Sequence, residues 1–121
     1  MVTLLVTLAA GLGAVARYTV DNAVQHRWRS AFPRGTVVVN ISGSFLLGLV
    51  TGLTAHHGFS TSAGTVIGAG FAGGYTTLST WAWETVVLAE TGAVGAGVVN
   101  VLGSLALGLA AAAVGLGLAL L

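Results

Sequence analysis

The chain has 121 residues, of which 55% are hydrophobic and only 6% are charged, and its mean hydropathy is +0.96. This composition excludes a soluble domain with a charged shell and indicates a membrane protein. The formal net charge of +1 excludes a nucleic-acid-binding face. The absence of cysteine excludes disulfides, thiolate metal sites and cysteine nucleophiles.

Four apolar segments are each long enough to cross a hydrocarbon core of about 30 Å, which needs roughly 20 helical residues. They cover approximately residues 2–22, 36–54, 63–89 and 93–121. We therefore expect one all-α, multi-pass domain over residues 1–121. The first segment lacks a basic flank, and Arg17 and Asp21 follow its small residues, so we interpret it as a retained helix rather than a signal peptide.

The first connection, "QHRWRSAFPRG", is the only long polar one. Trp28 suits the lipid headgroup region, and Pro33 is placed to begin the next helix. The basic residues Arg27, Arg29 and Arg34 favour a cytoplasmic position for this loop. Because this bias is small and the amino terminus partly offsets it, the sequence specifies orientation weakly.

An internal repeat relates the second and fourth segments. "VNISGSFLLGL" begins at residue 39 and "VNVLGSLALGL" at residue 99, with identity at seven of eleven positions. Thr36 and Asn40 are four residues apart, as are Asn100 and Ser104, so each pair occupies one helical face. These pairs could line a polar file, or they could simply bond neighbouring helices.

Glycine is abundant, with 19 copies. Gly48 and Gly52, like Gly64 and Gly68, are spaced so that small residues share one helix face, which is typical of close helix packing in membranes. A single four-helix unit is too thin to bury its polar residues. We therefore expect an oligomer, most simply a dimer.

The third segment contains "GAGFAGGYTTLSTWAWE" at residues 68–84. Its glycines continue a helix poorly, and its hydroxyl side chains compete for backbone hydrogen bonds. We expect this helix to be broken near its middle, with carbonyls free to coordinate a cation. The alternative is a glycine crossing point whose hydroxyls bond back to the preceding turn.

Arg17 and Glu84 are the ionisable residues closest to the interiors of the segments. Arg17 could extend to the membrane surface or attract anions, and Glu84 could serve an ion path or lie in a vestibule. We interpret His56 and His57 as solvated loop residues and Asp21 as interfacial. No base lies at membrane depth beside a hydroxyl nucleophile, so the sequence predicts no enzyme.

Three motifs, in order, resemble the CrcB/Fluc family of fluoride channels: "GAVARY" at residues 13–18, "GTVVVNISGSFLLG" at 35–48 and "GGYTTLSTWAWE" at 73–84. The resemblance covers essentially the whole chain. It implies a passive, fluoride-selective channel of the inner (plasma) membrane that exports cytoplasmic fluoride. It also implies an antiparallel dual-topology dimer with two pores and one central structural sodium ion.

The resemblance also assigns site residues. Backbone carbonyls of Gly73 and Thr76 would hold the sodium ion, and the Asn40 side chain would donate to fluoride. Arg17 matches a vestibule arginine, Ser104 a serine of the polar track, and Glu84 a glutamate near the pore. The full expected fluoride pathway comprises Arg17, Thr36, Asn40, Leu78, Ser79, Thr80, Trp81, Glu84 and Ser104.

The chain departs from the family pattern "TTFSTF" at two positions, Leu78 and Trp81. Trp81 keeps an electropositive ring edge and adds an indole donor, whereas Leu78 offers neither. A homodimer that tolerates Leu78 is the favoured account, and a heterodimer with a paralogous subunit is the other. A small proton-coupled exporter would need a glutamate in the middle of the first helix, which is absent, and a non-transporting structural subunit is a further alternative.

Overall fold

A computed structural model describes all residues, 1–121, and every regular element in it is helical, as the sequence predicts. The helices, in chain order, are α1 Val2–Arg27, α2 Arg34–His56, α3 residues 61–75, α4 Ser79–Glu90 and α5 Val94–Leu118. Helices α1, α2 and α5 are long, and each is apolar enough to cross a membrane. The two shorter elements, α3 and α4, lie between α2 and α5.

The outer surface of the chain is apolar. Leu12 on α1 and Leu109 on α5 are 67% and 73% exposed, and only 18 of 121 residues are buried. Such a surface is unsuited to water and suited to lipid or to further protein. Three of the four expected spans therefore correspond to single long helices, and the expected segment 63–89 is shared between α3 and α4.

Helix α3 has an unusual course. Ser60 caps its first turn by accepting from the Ala63 amide, and Val66–Ala72 is π-helical. The helical run ends at Tyr75, Thr76 is extended with ψ of 159°, and α4 begins at Ser79. The diglycine lies within the last helical turn rather than at the interruption. It serves packing instead, because a side chain at Gly74 would collide with the backbone of Ala10 on α1.

Helices α2 and α5, which carry the internal repeat, pack closely together. A side chain at Gly48 would collide with the backbone of Ala112, and one at Gly115 would collide with that of Phe45. Gly52 similarly faces Ala119. The small residues thus let the two backbones approach, as the glycine spacing predicts. The contact places the two copies of the repeat side by side.

The first connection is organised by Gln25 at the end of α1. Its amide nitrogen donates to the carbonyl of Ser30 at 2.8 Å, and its amide oxygen accepts from the Gly35 amide at 3.3 Å. Helix α2 begins directly after Pro33, as expected. These bonds hold the start of α2 beside Asp21 of α1, which lies against Gly35.

Candidate functional site

The Asn40 side chain of α2 holds the residues between α3 and α4. Its amide nitrogen donates to the Thr77 carbonyl at 2.9 Å, and its amide oxygen accepts from the Thr77 amide at 2.8 Å. One side chain therefore satisfies both backbone groups of a residue that is only 8% exposed. Unpaired, these buried groups would each cost about 1–3 kcal/mol, so Asn40 stabilises the non-helical segment.

Hydroxyl groups complete this segment. The Thr77 hydroxyl accepts from the Thr80 amide at 3.2 Å, and it lies 3.1 Å from the Thr80 hydroxyl and 3.4 Å from that of Ser79. Thr77 therefore caps the first turn of α4 with its hydroxyl, from one residue before the N-cap position at Leu78. Sequence reasoning did not include Thr77 in the expected pathway, although a hydroxyl three residues before Thr80 is the local signal for such a cap.

A cleft of about 290 Å³ opens beside Asn40, between α2, α4 and α5. We call it the Asn40 cleft. Leu78, 75% exposed, lies at its edge. The cleft brings together four of the expected pathway residues and two further hydroxyl residues: Asn40, Leu78, Trp81 and Ser104 with Ser44 and Thr77. Ser44 was missed, although it lies one helical turn after Asn40.

A second cavity, of about 140 Å³, shares Thr77 as a lining residue with the Asn40 cleft. We call it the Arg17 cavity. Arg17, Thr36 and Thr80 of the expected pathway line it. Asp21, which the sequence suggests is interfacial, also lines this cavity. Because Thr77 lines both spaces, hydroxyl and amide groups run from one to the other across the non-helical segment.

Glu84 of α4 lies next to the Arg17 cavity. Thr36 is only 2% exposed, and its hydroxyl donates to Oε1 of Glu84 at 3.0 Å. The second carboxylate oxygen, Oε2, is buried and has no hydrogen-bond partner. Thr36 and Asn40 thus do share one face of α2, and both bond across to the segment that includes residues 77–84.

Two carbonyl oxygens at the interruption lose their helical donors. In a continuing helix the Gly73 carbonyl would accept from Thr77, and the Thr76 carbonyl from Thr80. The Thr77 amide instead donates to Asn40, and the Thr80 amide to the Thr77 hydroxyl. The Thr76 carbonyl accepts only a long hydrogen bond of 3.5 Å from the Arg17 guanidinium. Carbonyls freed in this way are suitable ligands for a cation such as sodium.

The indole of Trp81 is directed differently from expectation. Its Nε1 donates to the main-chain carbonyl of Asn100 on α5 at 3.3 Å. The Ser104 hydroxyl also donates towards Asn100, reaching its amide oxygen at 3.4 Å. The expected indole donor is therefore bonded to α5, because a buried indole N–H finds a protein acceptor where one is in reach.

Comparison with known proteins shows the family to which the chain belongs. Residues 4–116 match the profile of the CrcB-like protein family, described as Camphor Resistance (CrcB). A protein of Leifsonia xyli named fluoride-specific ion channel FluC 1 is 44% identical over 116 residues, which cover 96% of this chain and 85% of that protein. A protein of Cutibacterium acnes named fluoride-specific ion channel FluC 2 is 42% identical, over 98% of this chain and 97% of that protein. The chain belongs to the CrcB family.

Proposed function

We propose that this chain forms a fluoride-selective passive channel that exports cytoplasmic fluoride, and that it is not an enzyme. The observation that carries the proposal is the run of hydroxyl and amide groups from the Arg17 cavity, past Thr77, to the Asn40 cleft. Polar groups at membrane depth mark ion pathways. The names of the similar proteins, fluoride-specific ion channels, support the choice of ion.

The chemistry of the lining suits fluoride. Fluoride is small and strongly hydrated, so a pathway must replace its lost water with close hydrogen-bond donors. Asn40 uses one N–H on Thr77 and keeps a second, and the hydroxyl of Ser104 is held by a long bond of 3.4 Å. Neutral donors bind an anion weakly enough to release it, which conduction requires. Arg17 would attract anions to the mouth of the pathway.

We propose further that residues 61–90 form a fourth span, interrupted near its middle, so that the chain crosses the inner (plasma) membrane four times. Two copies would assemble as an antiparallel dual-topology homodimer with two pores. Gly73 and Leu78 are both exposed on the single chain beside the polar residues, which supports a covering second copy. The weak arginine asymmetry of the first connection permits insertion in both orientations.

A structural sodium ion would be held by the Gly73 and Thr76 carbonyls of both copies. When bound, the ion would offset the partial negative charge of these oxygens and join the copies. We expect the dimer to unfold at a temperature about 5 °C lower when sodium is replaced by potassium of equal concentration, by mass action on a bound ion. The thermal unfolding midpoint in each salt measures this. Equal midpoints would contradict the sodium site.

The function is tested by fluoride release from liposomes that contain only the purified chain. A fluoride electrode reports release after a potassium ionophore relieves the membrane voltage, and chloride-loaded vesicles provide the matched control. We expect rapid release of fluoride and none of chloride. Folded, dimeric protein that releases no fluoride would contradict a self-sufficient homodimer and would favour the heterodimer with a paralogous subunit.

A substitution at Leu78 tests the departure from the family pattern. Leu78→Phe restores an electropositive ring edge, whose interaction is worth roughly 1 kcal/mol, so we expect fluoride release to rise about fivefold. Leu107→Phe is the matched control, because Leu107 is exposed on α5 outside the Asn40 cleft. An unchanged rate in Leu78→Phe would show that a ring edge contributes nothing at this position, and a reduced rate that leucine is the better lining.

A further inference from the structure

We propose that Trp81, Thr85 and Asn100 form a closed hydrogen-bond circuit that positions the wall of the Asn40 cleft and keeps the Trp81 indole bonded to α5 rather than to fluoride. The inference rests on the proposed function for the identity of the ion. The circuit makes Trp81 a positioning residue at a site where the sequence suggests an ion-binding donor.

The circuit joins α4 to α5 at two levels. The Trp81 indole N–H donates to the Asn100 carbonyl at 3.3 Å. The Asn100 side-chain amide donates to the Thr85 hydroxyl at 2.9 Å, and this hydroxyl donates to the Trp81 carbonyl at 2.8 Å. Each of the three residues therefore bonds to the other two. In a protein interior, hydrogen bonds linked in this way strengthen one another and restrict side-chain rotation.

Burial shows that Asn100 acts indirectly. Its exposed fraction is 0%, and it does not line the Asn40 cleft. Trp81 and Ser104, which do line the cleft, both donate to Asn100. One buried residue thus holds two cleft residues, Trp81 through its main-chain carbonyl and Ser104 through its side-chain oxygen. Thr85, four residues after Trp81, connects Asn100 back to the main chain of α4.

The wild-type protein offers a direct test through its tryptophan side chains. In ¹⁵N-tryptophan-labelled protein, the indole resonance of Trp81 is assigned by its loss in Trp81→Phe. We expect its N–H to exchange with water at least about tenfold more slowly than that of Trp28, which is 50% exposed in the polar first connection. We also expect the chemical shift of the Trp81 indole resonance to stay unchanged on titration with sodium fluoride. A saturable shift with fluoride, absent with sodium chloride, would overturn the proposal.

A variant tests the positioning role. Thr85→Val removes the hydroxyl that joins Asn100 to Trp81, and we expect about tenfold lower fluoride release with faster Trp81 indole exchange. Thr91→Val is the matched control, since Thr91 also bonds back to its own helix but lies outside the cleft. In a Trp81→Phe background the Thr85→Val effect should shrink to within about twofold.

The outcomes test the hydrogen-bond circuit independently of the proposed channel function. Unchanged indole exchange and flux in Thr85→Val would overturn the circuit, as would fully additive effects of Thr85→Val and Trp81→Phe. If the wild-type chain releases no fluoride, the proposed function fails. The exchange rate of the Trp81 indole would still report whether the circuit exists.

Discussion

Asn40→Leu is expected to lower fluoride release about a hundredfold. The substitution keeps the branching of the side chain but leaves the amide and the carbonyl of Thr77 without partners, at about 1–3 kcal/mol for each group. It also removes the free amide N–H from the Asn40 cleft. The non-helical segment should therefore lose its position, and the fluoride pathway should lose a hydrogen-bond donor. The liposome assay with the fluoride electrode measures the change.

A control variant and an assembly assay complete this experiment. Thr51→Val is a matched control on the same helix, because the Thr51 hydroxyl bonds only to Leu47 of its own helix and lies outside the Asn40 cleft. It should leave release within about twofold of wild type. Size-exclusion chromatography reports assembly. Dimeric Asn40→Leu protein without flux is the expected result, whereas loss of assembly would favour a structural subunit and unreduced flux would exclude Asn40 from the pathway.

Gly48→Val is expected to destabilise the fold strongly. The new side chain would collide with the backbone of Ala112 on α5, and backbone cannot move aside as a flexible side chain can. Overpacking of this kind costs about 1–3 kcal/mol. Because α2 and α5 share this contact along the repeat, we expect a lower thermal unfolding midpoint and a reduced yield of folded protein.

The control for this substitution is Gly103→Val. Gly103 also lies inside a helix, but a side chain there meets no neighbouring atom within 4 Å. Both variants replace a helical glycine with the same β-branched residue. The difference between their unfolding midpoints therefore measures the effect of the collision with α5 alone. Equal midpoints for Gly48→Val and Gly103→Val would contradict the close approach of α2 and α5.

The sequence was most informative about local features. The apolar segments predicted the long helices, because length and hydropathy are properties of neighbouring residues. The glycine spacing predicted the close contact of α2 with α5. Thr36 and Asn40 were recognised from their separation of four residues. Their partners, Glu84 and Thr77, are 48 and 37 residues away in the chain, so no local pattern could pair them.

The direction of side chains was the least predictable feature. The sequence offers the Trp81 indole as a donor, yet only the approach of α5 decides that the Asn100 carbonyl receives it. Asp21 was interpreted from its position near a helix end, and only the packing of α1 on α2 shows that it also lines the Arg17 cavity. The diglycine suggested the point of interruption. Both glycines instead lie in the last helical turn of α3, where Gly74 packs against α1, and the helix ends only after Tyr75.

Passive conduction of fluoride is tested most directly by the zero-current voltage across a planar bilayer that contains the purified chain. With a tenfold fluoride gradient and equal chloride and pH on both sides, we predict about 59 mV with the sign set by fluoride. This voltage should stay constant when a pH gradient is added. A zero-current voltage near 0 mV, or one that follows the pH gradient, would contradict a passive fluoride-selective channel and favour a non-selective pore or a proton-coupled exporter.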